Sequence, residues 1–222
     1  IALLVLYLAT LEDYARELPQ VPGLEVNVAT VPSTIDGREQ KVVIAHPEAL
    51  RRDCPAPLLV GLHTWSADYR QQLAALGPLA VERNWRLLLP DFRGPNLARN
   101  PRPAEAGGSL LAQHDVLDAV EYASHTGAVD ETRRYLLGGS GGGHMALLVA
   151  AKAPGLWAAV SAWCPVTDLR DWHAQANAYA PHIEAVCGGP PGASSEVDFE
   201  YQRRSPRTFM TNLANTRVRI CH

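Results

Sequence analysis

The sequence predicts an α/β fold on a mainly parallel sheet, and three observations carry that prediction. Short, nearly continuous apolar runs at 57–63 (PLLVGLH), 86–91 (RLLLPD) and 157–163 (WAAVSAW) have the composition of strands buried on both faces. Segments with helical periodicity alternate with them. At 138–144 the run GGSGGGH joins an apolar strand, through a cluster of glycines, to a helix-forming stretch. The chain's 222 residues are enough for one such domain with a substantial core.

Taken in order, residues 1–10 (IALLVLYLAT) are apolar but shorter than the roughly 20 residues of a membrane span. Leu3, Tyr7, Leu11, Tyr14 and Leu18 recur at helical spacing until Pro19, so the preferred reading is an amphipathic helix. The alternative is the remnant of a secretory h-region. Residues 1–22 are thus set apart from a catalytic domain over 23–222. Strands are expected at 24–31 and 40–45, joined across Asp36-Gly37, a hairpin signal. The buried strand 57–63 leads into a polar segment, 68–84, expected to be a helix broken at Gly77-Pro78. Strand 86–91, a loop over 92–108 and a helix from Leu110 to His125 capped by Ser109 follow. A strand at 135–138, a helix at 142–152 and a strand at 157–163 come next, and a long loop-and-helix stretch leads to a last strand at 218–221.

Twenty Lys and Arg against 23 Asp and Glu leave a net charge of −3 with no long block of either sign. That implies neither nucleic acid nor an anionic membrane as partner. Cys54, Cys164, Cys187 and Cys221 are widely spaced and form no metal-ligand pattern. No metal or cofactor is expected; disulfide state, oligomeric state and compartment, cytoplasmic or secreted, stay open.

The chemistry centres on Gly138-Gly139-Ser140-Gly141-Gly142, a G-x-S-x-G at a strand-to-helix junction. Such a nucleophile elbow lifts a serine hydroxyl above the sheet, and its glycines avoid collisions across the turn. Ser140 is the expected nucleophile. The N–H of Gly141, next in the chain, is the expected first donor to an oxyanion, and the loop after strand 57–63 supplies the second. Trp65 is the candidate there by its N–H, with its indole available to line an acyl pocket; its alternative is simple packing. His63 reads as a hydrogen-bonded structural residue shaping that loop. His144, one helical turn past Ser140, should point along or into its helix. His114, His125, His173 and His182 have no positional argument for catalysis, and Asp168 reads as the N-cap of a helix, with triad acid as its alternative.

Together with Asp91-Phe92-Arg93-Gly94, the 115–120 helix, Pro165-Val166-Thr167-Asp168 and Ser205-Pro206, these motifs resemble the catalytic domain of prolyl oligopeptidase-like serine hydrolases of the α/β-hydrolase fold. The resemblance covers roughly residues 40–222. It implies hydrolysis of a small peptide or ester substrate through an acyl-enzyme on Ser140. In that fold the triad runs Ser, acid, His along the chain, and strand 218–221 has the place of the strand that precedes the acid. The expectation is therefore a hydrolase lacking its last strand and helix, inactive as given, with acid and base beyond residue 222. A triad of Ser140, Asp168 and His222 is the competing arrangement.

Other readings remain. Peptidase and carboxylesterase share all this machinery. A non-catalytic binding protein of the same fold is a further alternative, though it has no need of an elbow serine. Gly141-x-Gly143-x-x-Ala146 also satisfies a dinucleotide fingerprint, but it does not open the first βα unit and no acidic residue closes the next strand.

Overall fold

The computed structural model describes residues 18–175 and 178–222. Seven strands form one sheet in the order β1-β2-β4-β3-β5-β6-β7. β1 (Leu24–Pro32) and β2 (Glu39–Pro47) make the expected antiparallel hairpin, and β2 also runs antiparallel to β4 (Arg86–Pro90). β3 (Ala56–Leu62), β5 (Val129–Gly139), β6 (Ala159–Trp163) and β7 (Val218–Cys221) complete a parallel block with β4.

Helices cover both faces, as the buried strands require. Alternation along β3 sends Leu58, Val60 and Leu62 to one face, against Val116 and Val120 of α2 (Leu110–Thr126) and Met145 and Val149 of α3 (Gly141–Lys152). Leu59 faces the other way, with Leu87 and Leu89, onto Leu73, Leu76 and Ala80 of α1 (Leu73–Arg83). Ser109 caps α2 by accepting from the Ala112 N–H at 3.0 Å.

Two expectations need correction. α1 runs unbroken through Gly77-Pro78. Pro78 and Ala74 are both exposed, so the Ala74 carbonyl that loses its intrahelical partner faces water. Gly77 is buried instead, and a Cβ on it would stand 2.9 Å from a Val21 methyl, so the glycine serves packing. β5 begins at Val129, six residues before the apolar stretch at Tyr135. Its exposed polar residues 131–133 carry no strand periodicity.

The 165–215 stretch forms α4 (Leu169–Ala174), α5 (Ala180–Cys187), α6 (Ser195–Arg203) and a 3-10 segment (Pro206–Leu213). Leu169, Ile183, Val186 and Tyr201 pack around Trp65 in a separate core. All four cysteines are free thiols. Of the expected N-terminal helix or signal-like segment, 1–22, residues 1–17 lie outside the described residues. Among the described residues no helix is long and apolar enough to cross a membrane.

Candidate active site at the nucleophile elbow

Ser140 sits between β5 and α3 with φ 53° and ψ −118°, a conformation L-residues rarely adopt. Its N–H donates to the Trp163 carbonyl at 2.8 Å and its carbonyl accepts from the His144 N–H at 2.9 Å, so the turn is held from both sides. The glycines are sterically required. A Cβ on Gly138 would lie 2.2 Å from the Gly142 oxygen, and one on Gly142 would lie 2.3 Å from the Leu62 oxygen. The elbow is pressed against the end of β3.

That contact brings the Trp65 backbone beside the elbow: a Cβ on Gly141 would stand only 2.3 Å from the Trp65 nitrogen. Both residues are buried. Neither the Gly141 N–H nor the Trp65 N–H has an acceptor among the described residues, although most polar groups of the loop are bonded. Two unpaired backbone donors thus stand together next to the serine.

Trp65 itself is 1% exposed, and its ring meets Trp172 and His144 edge to face. The indole is packed into the core beneath α4 and α5, so it does not line an open acyl pocket. His63 bonds through Nδ1 to the Thr64 carbonyl at 2.9 Å and stacks on Phe92 with ring centroids 3.8 Å apart. His144 is fully buried with Nε2 2.7 Å from the Arg204 carbonyl. Burial pushes its imidazole down to about 4, so it is neutral near pH 7 and its Nε2–H is spent on Arg204.

Asp168 caps α4, accepting from the Arg170 and Asp171 N–H groups, and lies 3.6 Å from Arg207. His222 follows β7 at the same sheet end as the elbow, where the Cys164 N–H donates to the Cys221 carbonyl. Ser140, Asp168 and His222 are not joined by hydrogen bonds, and among the described residues Ser140 Oγ has no partner. His173 pairs with Glu184 at 2.8 Å, and His125 bonds its own helix at the Glu121 carbonyl.

The space at the two fingerprint glycines that a pyrophosphate would need is filled, beside Gly141 by the Trp65 backbone and beside Gly143 by Pro165 and the Gly138 and Trp163 carbonyls, which argues against that alternative. No cluster of three or more metal-ligating side chains occurs among the described residues.

Further contacts complete the site: the sequence singles out the motifs that hold Arg93, Asp115 and Asp36 but not their pairing, and gives no signal for Gln71, Asn96 or Arg204. Gln71 Oε1 accepts from the Thr64 N–H at 2.7 Å, and the Asn96 N–H donates to the Trp65 carbonyl at 2.8 Å. Arg93, in the turn after β4, is 3% exposed and bonds Asp115 of α2 at 2.5 and 3.1 Å and Asp36 of the hairpin at 2.8 and 2.9 Å. Arg204 is buried beneath the 103–108 loop, donating to the Ala104 and Ala106 carbonyls at 2.7 and 2.6 Å. The contacts of Arg93, Asn96 and Arg204 join segments far apart in the chain, which no local pattern encodes, whereas Gln71 reaches seven residues back to Thr64.

Strand order, the strained serine between strand and helix, and helices on both faces define an α/β-hydrolase. Residues 111–222, just over half of the chain, match the prolyl oligopeptidase family. The chain belongs to that family. No curated protein matches its sequence.

Among solved structures, it is similar to oligopeptidase B from Leishmania major, at 12% identity and a TM-score of 0.70 over 90% of this chain and 32% of that one. A puromycin-hydrolysing peptidase from Mycobacterium tuberculosis aligns at 16% identity with a TM-score of 0.70, over 94% of this chain and 33% of that one. An S-formylglutathione hydrolase from Staphylococcus aureus aligns at 14% identity with a TM-score of 0.66, over 89% and 78% respectively. The chain therefore spans about a third of the length of the two peptidases.

Proposed function

We propose that the protein is a serine hydrolase that cleaves peptide or ester bonds through an acyl-enzyme on Ser140. The observation that carries this reading is the pair of unpaired N–H groups, Gly141 and Trp65, beside the serine. A buried donor left without an acceptor costs about 1–3 kcal/mol. Two held side by side are accounted for if an oxyanion is their acceptor during turnover.

Ser140 Oγ attacks the substrate carbonyl carbon while its proton passes to a base, and the two N–H groups bind the oxyanion of the tetrahedral intermediate. Collapse expels the amine or alcohol, which takes up the proton, and water then releases the acid from the acyl-enzyme. Neither His63 nor His144 is assigned as the base: the buried Nε2 of His63 faces Asp91 Oδ1 at 3.5 Å and makes no hydrogen bond to Ser140, and Nε2 of His144 is engaged by the Arg204 carbonyl. The acid and base are sought C-terminal to Ser140, in the chain order of this fold. The similar structures include peptidases and an S-formylglutathione hydrolase, so the reading takes in both bond classes.

The test is pre-steady-state hydrolysis of p-nitrophenyl acetate by the protein expressed from its natural reading frame. A burst of p-nitrophenol stoichiometric with enzyme, lost in Ser140→Ala, is expected. Hydrolysis that is unchanged in the purified variant would overturn the assignment.

A further inference from the structure

The Trp65 N–H faces the elbow only if the peptide that carries it is held in one orientation. In a trans peptide the C=O and N–H point in opposite directions, and the Thr64–Trp65 bond is trans. Whatever grips the Thr64 carbonyl therefore aims the Trp65 N–H. Two groups share that carbonyl: the Ala67 N–H donates to it at 3.3 Å, and His63 holds it more closely, its Nδ1 2.9 Å from the Thr64 oxygen. A carbonyl only accepts, so Nδ1 carries the proton.

The imidazole is itself fixed. It stacks on Phe92 at an interplanar angle of 7°, and it fills space that only a glycine leaves open, since a Cβ on Gly94 would come 2.6 Å from Cε1. Its Nε2 and the Asp91 Oδ1 face each other at 3.5 Å, both buried and, among the described residues, neither with another partner. The motif at the end of β4 thus builds the seat for a ring at the end of β3.

We propose that His63 is a positioning residue for the second oxyanion donor: its Nδ1–H, gripping the Thr64 carbonyl, turns the Trp65 N–H toward the acyl oxygen at Ser140. Gln71 and Asn96 anchor the flanking N–H and C=O, and His63, with the shorter of the two bonds to the Thr64 oxygen, sets the rotation between them. This rests on the hydrolase reading above. It also assigns His63 a role distinct from the base: the ring never touches the substrate.

The experiment compares wild type, His63→Phe and His63→Asn, each expressed from the natural reading frame and checked for folding by circular dichroism. Phenylalanine keeps a ring over Phe92 but has no donor, whereas the asparagine amide returns an N–H near the place of Nδ1. The expected result is a kcat about tenfold to a hundredfold lower in His63→Phe with KM within about twofold, and recovery of most of that loss in His63→Asn. Fluorophosphonate labelling of Ser140 separates the two readings. If Ser140 labels in wild type and both variants label and turn over at the wild-type rate, the hydrolase stands and the positioning role falls. If Ser140 does not label in wild type, both fall. Should the variants not fold, nitrogen-15 NMR of the wild-type imidazole decides: a protonated Nδ1 supports the role, and an unprotonated Nδ1 overturns it.

Discussion

Gly141 and Trp65 approach so closely that any side chain on the glycine would overlap the tryptophan backbone, the gap being 2.3 Å from a built Cβ to the Trp65 nitrogen. Gly141 opens α3 without a positive φ. Helix propensity alone would thus favour alanine there by about 1 kcal/mol. The contact reverses that preference. Gly141→Ala should lower stability by about 1–3 kcal/mol and displace the Trp65 donor, lowering kcat on p-nitrophenyl esters about a hundredfold. Urea denaturation and steady-state kinetics check the two effects.

Ser140 holds φ 53° because the elbow demands it, at a cost of about 1–3 kcal/mol. Glycine occupies such a conformation without the Cβ penalty. Ser140→Gly should therefore be more stable than Ser140→Ala by about 1 kcal/mol, with neither variant hydrolysing ester. The denaturation midpoints of the two purified variants, compared at equal m-value, provide the check.

Arg93 ties three distant segments together, and its partner Asp115 has a fully buried side chain. Desolvation pushes that carboxyl up while the Arg93 guanidinium beside it pulls it down. Removing the arginine leaves an uncompensated buried charge, which is strongly destabilising even where the intact pair adds little net stability. Arg93→Met should cost about 3–5 kcal/mol, and Arg93→Met/Asp115→Leu should recover part of it. Thermal denaturation of the single and double variants measures both.

His144 makes stability fall in mild acid. Its folded value of about 4 lies below the ordinary value of about 6.5. Between those limits the unfolded chain therefore binds the extra proton. The contribution is fully present above pH 6.5 and is lost as pH falls toward 4, in total about 3 kcal/mol. His144→Gln, whose amide reaches the place of Nε2–H, should flatten the dependence of unfolding free energy on pH in that window. A slope there equal to wild type would contradict the assignment.

The elbow, the hairpin and the buried strands were legible because each rests on a local cause: glycine sterics around Ser140, the Asp36-Gly37 turn, and unbroken apolar runs. Asp168 as a cap and His144 pointing away from the hydroxyl were readable for the same reason. The continuity of α1 was not, because it depends on which side of the helix Pro78 faces, and that is decided by the packing of Gly77 on Val21. Nor was the burial of the Trp65 indole, which requires α4 and α5 to fold over it. The anchors Asn96 and Arg204 act on backbone groups far along the chain, and Gln71 folds back on Thr64 across an irregular loop; a single sequence gives no sign of such pairings.

Reaction with a fluorophosphonate probe followed by tandem mass spectrometry reads the nucleophile at the level of the residue, on the protein expressed from its natural reading frame. The expected result is one phosphonyl adduct, on Ser140, formed faster than on free serine and absent from Ser140→Ala. An unmodified Ser140, or labelling undiminished in Ser140→Ala, would contradict its assignment as the nucleophile.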